Sequence, residues 1–237
     1  MKRYKWFFVR MPGGLNAFVE KAAQSKFSKI KNYSFTVLDS EANRIRIQHS
    51  TRAKVVLDLV SPNGTRSKKI FDSVESVELE LAEVGSRVLI RIDEPPRSLM
   101  KFMNDLEAVV GFGFSAEPYI FQSAAQTDVL RDLDSCKLIG FKGVGSNATA
   151  KIVARIEVVS KEGVDPTQLP LLKTLNYKID HTTYDVSYRM LNGQITFAPS
   201  GVVRFSGPLS PHLIGCVEEF LGSATNKFYL DSSTFKK

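Results

Sequence analysis

The sequence predicts an α+β protein made of two related halves, each an antiparallel sheet with helices packed on one face. Three observations point there. Short alternating strands dominate, amphipathic helices follow strands at three places, and a strand–helix pattern recurs at a constant offset of 114 residues. The chain has 237 residues, with 43% hydrophobic and 24% charged. That composition excludes disorder and collagen, and two cysteines, Cys136 and Cys216, exclude a disulfide scaffold. With only His49, His181 and His212 beside them, those cysteines match no zinc-site spacing, and no cofactor is expected.

Tyr4 to Met11 reads as a strand, broken by Pro12-Gly13-Gly14, and Leu15, Phe18, Val19 and Ala22 follow at helical spacing. Tyr33 to Leu38, Arg44 to His49 and Lys54 to Val60 read as separate strands, with a turn at Pro62-Asn63-Gly64. Ser76 to Leu81 alternates into a hairpin turn at Glu83-Val84-Gly85-Ser86, and Arg87 to Asp93 returns. Pro95-Pro96 opens a helix from about Arg97 to Val110, and Phe112 to Phe121 is a further strand. Residues 1–121 thus form an N-terminal half, and 122–147 a connection whose Gly140, Gly143 and Gly145 make it flexible.

A C-terminal half begins at Ala148. Ile152 to Val159 is a strand, and Asp165-Pro166 caps a short helix reaching Leu175. Tyr177 to Met190 is strand, interrupted near His181-Thr182-Thr183, and Gly193 to Phe197 and Val202 to Ser206 flank a Pro199-Ser200-Gly201 turn. A helix with Leu213, Cys216, Val217 and Phe220 inward, a last strand at Phe228 to Leu230 and a tail complete the chain.

The internal repeat pairs Arg87 to Asp93 and its helix with Val202 to Ser206 and its own. Upstream it pairs Phe7-Phe8-Val9-Arg10 with Ile152 to Ile156. No apolar run reaches the length of a signal h-region or of a spanning helix, about 20 residues, so an intracellular protein without a membrane partner is expected.

Tyr188-Arg189-Met190, a strand containing Phe197, then Ser200-Gly201-Val202-Val203-Arg204-Phe205-Ser206-Gly207 and an amphipathic helix resemble the C-terminal half of the TATA-box-binding protein family over residues 188–222. A distant relationship of this kind implies a curved sheet that lies on the DNA minor groove, with apolar side chains opening base steps. By that resemblance Phe197 is a stacking or wedging residue.

The charge is basic, 32 Lys and Arg against 25 Asp and Glu, and unevenly spread. Arg44, Arg46, Arg52, Lys54, Arg66, Lys68 and Lys69 supply seven cations between residues 44 and 69, against Asp58 alone. Gathered on one sheet face they would neutralise several phosphates, with Arg189 and Arg204 as counterparts in the second half. Paired with Glu75, Glu78, Glu80 and Glu83 of later strands they would not. The expected function is therefore nonenzymatic binding of nucleic acid, DNA favoured over RNA. One alternative is an assembly module that pairs with another subunit through its open sheet or edge strands. A second is a metal-independent endoribonuclease on paired ferredoxin-like halves, for which His181, near Asp180 and Tyr184, is the best general base.

Overall fold

A computed structural model describes residues 1–28, 30–41, 43–85, 87–147, 152–173 and 176–232. Ser86, Ala148, Leu175 and the tail after Ser232, each given a place by the sequence reading, lie outside the described residues. The chain runs β1 (Lys2–Arg10), α1 (Gly14–Gln24), β2 (Tyr33–Glu41), β3 (Arg44–Val60), β4 (Arg66–Val84), β5 (Arg87–Asp93), α2 (Met100–Val110), β6 (Ser115–Pro118) and α3 (Ser123–Val129). It continues with β7 (Ser135–Asn147), β8 (Ile152–Val159), a short 3-10 turn, α4 (Pro170–Lys173), β9 (Asn176–Tyr188), β10 (Leu191–Phe197), β11 (Val202–Ser206) and α5 (Ser210–Ser232).

The strands form one antiparallel sheet of eleven, in the order β2-β3-β4-β5-β1-β11-β10-β9-β7-β8, with β6 beside β1. This corrects the expectation of two halves, each with its own sheet and helices. The cause is a pairing that local patterns do not reveal: β1 meets β11 with Lys2 opposite Phe205 and Lys5 opposite Val202. The two strands paired by the upstream repeat take different places, β1 interior to the sheet and β8 at its edge. The chain divides into two compact units, Phe7–Glu117 and Met1–Trp6 with Pro118–Lys237.

In the unit Phe7–Glu117, Leu15, Phe18 and Ala22 of α1 and Phe102, Leu106 and Val110 of α2 are buried with Ile47, Leu81 and Ile90 of the strands. Each large side chain buried there contributes about 1.5–3 kcal/mol. The polar run Ser50-Thr51 does not interrupt β3. It is buried, and the Ser50 hydroxyl meets the Ser76 hydroxyl at 2.9 Å, so the cross-strand neighbour satisfies what looked like a break. As a result β3 and β4 pair continuously from Arg44 opposite Ala82 to Val60 opposite Arg66. Strand β2 covers β3 only as far as Thr51, and β5 meets β4 only from Glu78 onward. The remainder is a two-stranded arm closed by a turn in which the Gly64 N–H donates to the Ser61 carbonyl at 2.8 Å.

In the other unit, residues 122–147 are no flexible connection: they hold α3 and strand β7, which is paired on both sides. Gly143 is there because a Cβ would come within 2.4 Å of the Lys178 carbonyl oxygen. Strand β9 runs through His181–Thr183; beside them Asp180 is the extra residue of a β9 bulge opposite Lys142 and Gly143, and a second register shift falls at Leu138–Gly140 of β7. Arg189 and Met190 close the β9–β10 hairpin with φ of 46° and 66°, the left-handed pair a tight two-residue turn uses. Residues 228–230 continue α5 instead of forming a strand. Asp165 does cap the turn at Pro166–Gln168, its carboxylate accepting the Thr167 N–H at 2.9 Å.

Candidate nucleic-acid interface

Residues directly opposite one another in an antiparallel ladder share a sheet face. The β3–β4 register therefore puts Arg44, Arg46, Arg52, Lys54, Lys68 and Arg66 on one face and Lys69 on the other, where its ammonium sits 5.2 Å from the Phe71 ring centre. That face is not a positive patch. Glu80 pairs with Arg44, lies opposite Arg46 and holds Arg91 at 2.7 Å, while Arg91 also reaches Asp93 at 2.9 Å. Arg46 meets Glu78 at 3.3 Å, Lys68 meets Asp58 at 3.8 Å, and Lys54 stands opposite Asp72. The Arg52 guanidinium is spent over the Phe27 ring at 5.0 Å. Glu83 takes no part; its carboxylate accepts the Leu15 N–H at the start of α1, at 3.4 Å. Three arginines against three carboxylates in the Arg44–Asp93 network leave no excess charge for a polyanion.

Phe197 is 1% exposed and packs with its ring centre 5.4 Å from that of Phe121 and 6.2 Å from that of Tyr184. It is a core side chain, and the wedging role is corrected accordingly. Arg189 belongs to the hairpin turn: its N–H donates to Asp134 at 2.7 Å, and its guanidinium lies 5.0 Å from the Tyr188 ring. Arg204 is exposed and stands elsewhere, on the face of β11 opposite to buried Val203 and Phe205.

The register carries that face across five strands. Arg3 is opposite Arg204, Arg204 opposite Thr196, Thr196 opposite Thr183, and Thr183 opposite Gly140. Lys5 lies two residues along β1 from Arg3, and Lys137 stands opposite Asp185. Lys142 is opposite both His181 and Glu157, and Arg155 and Lys178 flank Val144 on either side. The helices of this unit touch the other face: Gln126 of α3 accepts from the Thr182 hydroxyl at 2.7 Å, and Leu213 of α5 lies against Gly193. The open face thus gathers Arg3, Lys5, Lys137, Lys142, Arg155, Lys178 and Arg204 against Glu157 and Asp185. Lys142 and Glu157 are in contact at 2.7 Å.

Within this face lies a cavity of about 620 Å³, lined by Arg204, Lys142, Lys161, His181, Thr183, Thr196 and Gln194 and by the carboxylates Glu157 and Asp185. Burial pushes the His181 imidazole below its ordinary range, and Arg204 and Lys142 push it the same way against Asp180. That direction favours the neutral ring, which can both donate and accept hydrogen bonds. Burial likewise lowers Lys5. Tyr184 is on the opposite face, its register partner being buried Ile195 and its hydroxyl donating to Gln126 at 3.3 Å. The endoribonuclease alternative needs only His with Tyr or Lys; its His–Tyr pair is not brought together, whereas Lys142 stands opposite His181 in the same cavity.

No family model and no curated protein matches the chain. The likeness over residues 188–222 rests on those residues alone. Among the described residues, no helix is long and apolar enough to cross a membrane. Of the site residues read from the sequence only Arg204 is on the open cationic face. Arg3, Lys5, Lys137, Lys142, Arg155 and Lys178 were missed because no strand carries more than two of them, and only the strand order assembles them.

Proposed function

We propose that the protein binds nucleic acid without catalysis, seating the phosphate backbone on the open face of β1, β11, β10, β9, β7 and β8. One observation carries this: seven cations and two carboxylates share a face with a cavity lined by Lys142, Lys161 and Arg204, by hydroxyl, amide and imidazole groups, and by the carboxylates of Glu157 and Asp185. Lysines and arginines neutralise phosphates, and Thr183, Thr196 and Gln194 are the neutral donors that fix a backbone in position. Net charge agrees. Residues 7–117 hold sixteen Lys and Arg against fourteen Asp and Glu, whereas residues 1–6 and 118–237 hold sixteen against eleven.

Fluorescence anisotropy with duplex DNA, single-stranded DNA and RNA across salt tests the reading. Five phosphate contacts give a slope of log Kobs on log salt of about −4. Duplex DNA is the favoured ligand. Absence of binding to all three at about 50 mM salt, or binding indifferent to salt, would overturn it.

A further inference from the structure

The β3–β4 arm is apolar where a solvated hairpin is not. Val55, Val56, Leu57, Leu59 and Val60 of β3, with Ile70 and Phe71 of β4, are 41–64% exposed and occupy both faces of the ribbon. A two-stranded ribbon with both edges open and branched apolar residues on both faces is a template for a further strand. We infer that the arm pairs with the arm of a second copy of this chain, β3 against β3 antiparallel, about a two-fold axis at Val56.

The partner is chosen by charge and symmetry. A two-fold through Val56 puts Lys54 of each copy opposite Asp58 of the other, on the face they share with Val56. The same operation sets Val55 opposite Leu57 and Ala53 opposite Leu59 on the reverse face, so both faces gain apolar neighbours together. Within one chain the arm already shows this alternation, with Lys54 opposite Asp72, Val56 opposite Ile70 and Asp58 opposite Lys68. Opposite charges directly across a ladder stabilise it and like charges destabilise it. A self-complementary strand is what an isologous interface requires. Among the described residues no strand other than β4 pairs with β3 beyond Thr51. Arg52 is engaged, its N–H donating to the Asn32 carbonyl at 2.9 Å and its carbonyl accepting from Lys101 at 3.2 Å, so the edge open to a further strand begins at Ala53.

Lys54→Asp and Asp58→Lys test this in combination. Either variant alone sets like charges opposite one another at both ends of the two-fold contact, whereas a mixture of the two restores both opposite-charge pairs. Sedimentation equilibrium of the full chain is expected to show a wild-type dimer, each single variant dissociating about tenfold more readily or worse, and a mixed heterodimer regaining wild-type affinity. Recovery in the mixture separates loss of pairing from loss of folding. A wild-type chain that stays monomeric at about 100 µM, a dimer indifferent to both variants, or a mixture that does not recover overturns the inference.

Discussion

Arg46 and Arg204 are both exposed arginines on open strand faces of one sheet, yet they have different surroundings. Arg46 looks across its ladder at Glu80 and reaches Glu78, in a network that ends on Asp93. Arg204 looks across at Arg3 on one side and Thr196 on the other. The denser cluster in the sequence is the neutral one in space, and the dispersed cations make the positive face. Cross-strand neighbours decide whether a cation is spent on the fold or kept for a ligand.

The comparison can be broken first at Phe197. If it is core, Phe197→Ala costs about 3–5 kcal/mol in denaturant unfolding. Folded protein would then keep the wild-type salt slope, whereas a wedge would lose affinity without losing stability. Next in size is the combined Arg155→Ala, Lys178→Ala and Arg204→Ala variant, expected to bind duplex DNA about 100-fold more weakly near 0.1 M salt with a slope shallower by about 2–3. Arg44→Ala with Arg46→Ala is expected to change affinity by less than about threefold, since those guanidinium groups answer to carboxylates.

A third effect concerns what lies beneath the neutral face. His49 and Asp105 form a buried pair at 3.0 Å, with the His49 ring between those of Phe35 and Phe102. Asp105→Ala leaves a buried imidazole donor unsatisfied and should cost about 1–3 kcal/mol. Burial lowers His49 despite its hydrogen bond to Asp105, and His181 is lowered too, so the unfolded chain takes up protons that the folded chain does not. Stability from both is complete above the ordinary histidine value, about 6.5, and is lost as pH falls from there toward the folded values. Chemical denaturation against pH should show that loss, smaller in His49→Gln. The smallest effect sharpens the contrast: Glu78→Gln with Glu80→Gln should cost about 1 kcal/mol or less in denaturant unfolding. By removing the carboxylates that pair with Arg44 and Arg46 while Asp93 still holds Arg91, it should create a second, weaker polyanion site, seen as added stoichiometry in titration calorimetry.

Alternation made β1, β5, β10 and β11 legible in the sequence, and helical spacing did the same for α1 and α2. Asp165 before Pro166 announced its cap. The failures have a common source. Ser50 and Thr51 look like a loop unless Ser76 is known to stand beside Ser50, and Gly143 looks flexible unless the Lys178 carbonyl is known to press on it. Arg3 and Arg204 are 201 positions apart in sequence and neighbours in the ladder. Local pattern reports which face of a strand is apolar. It does not report which strand comes next, and the candidate site is assembled by strand order.

Lysine acetylation read by mass spectrometry, with and without a bound duplex, tests most directly where a polyanion sits. Lys137, Lys142 and Lys178 should be protected by the nucleic acid while Lys54, Lys68 and Lys69 react as before. Protection of Lys54, Lys68 and Lys69 with Lys137, Lys142 and Lys178 unchanged would contradict the account and return the interface to the strands that the sequence favoured.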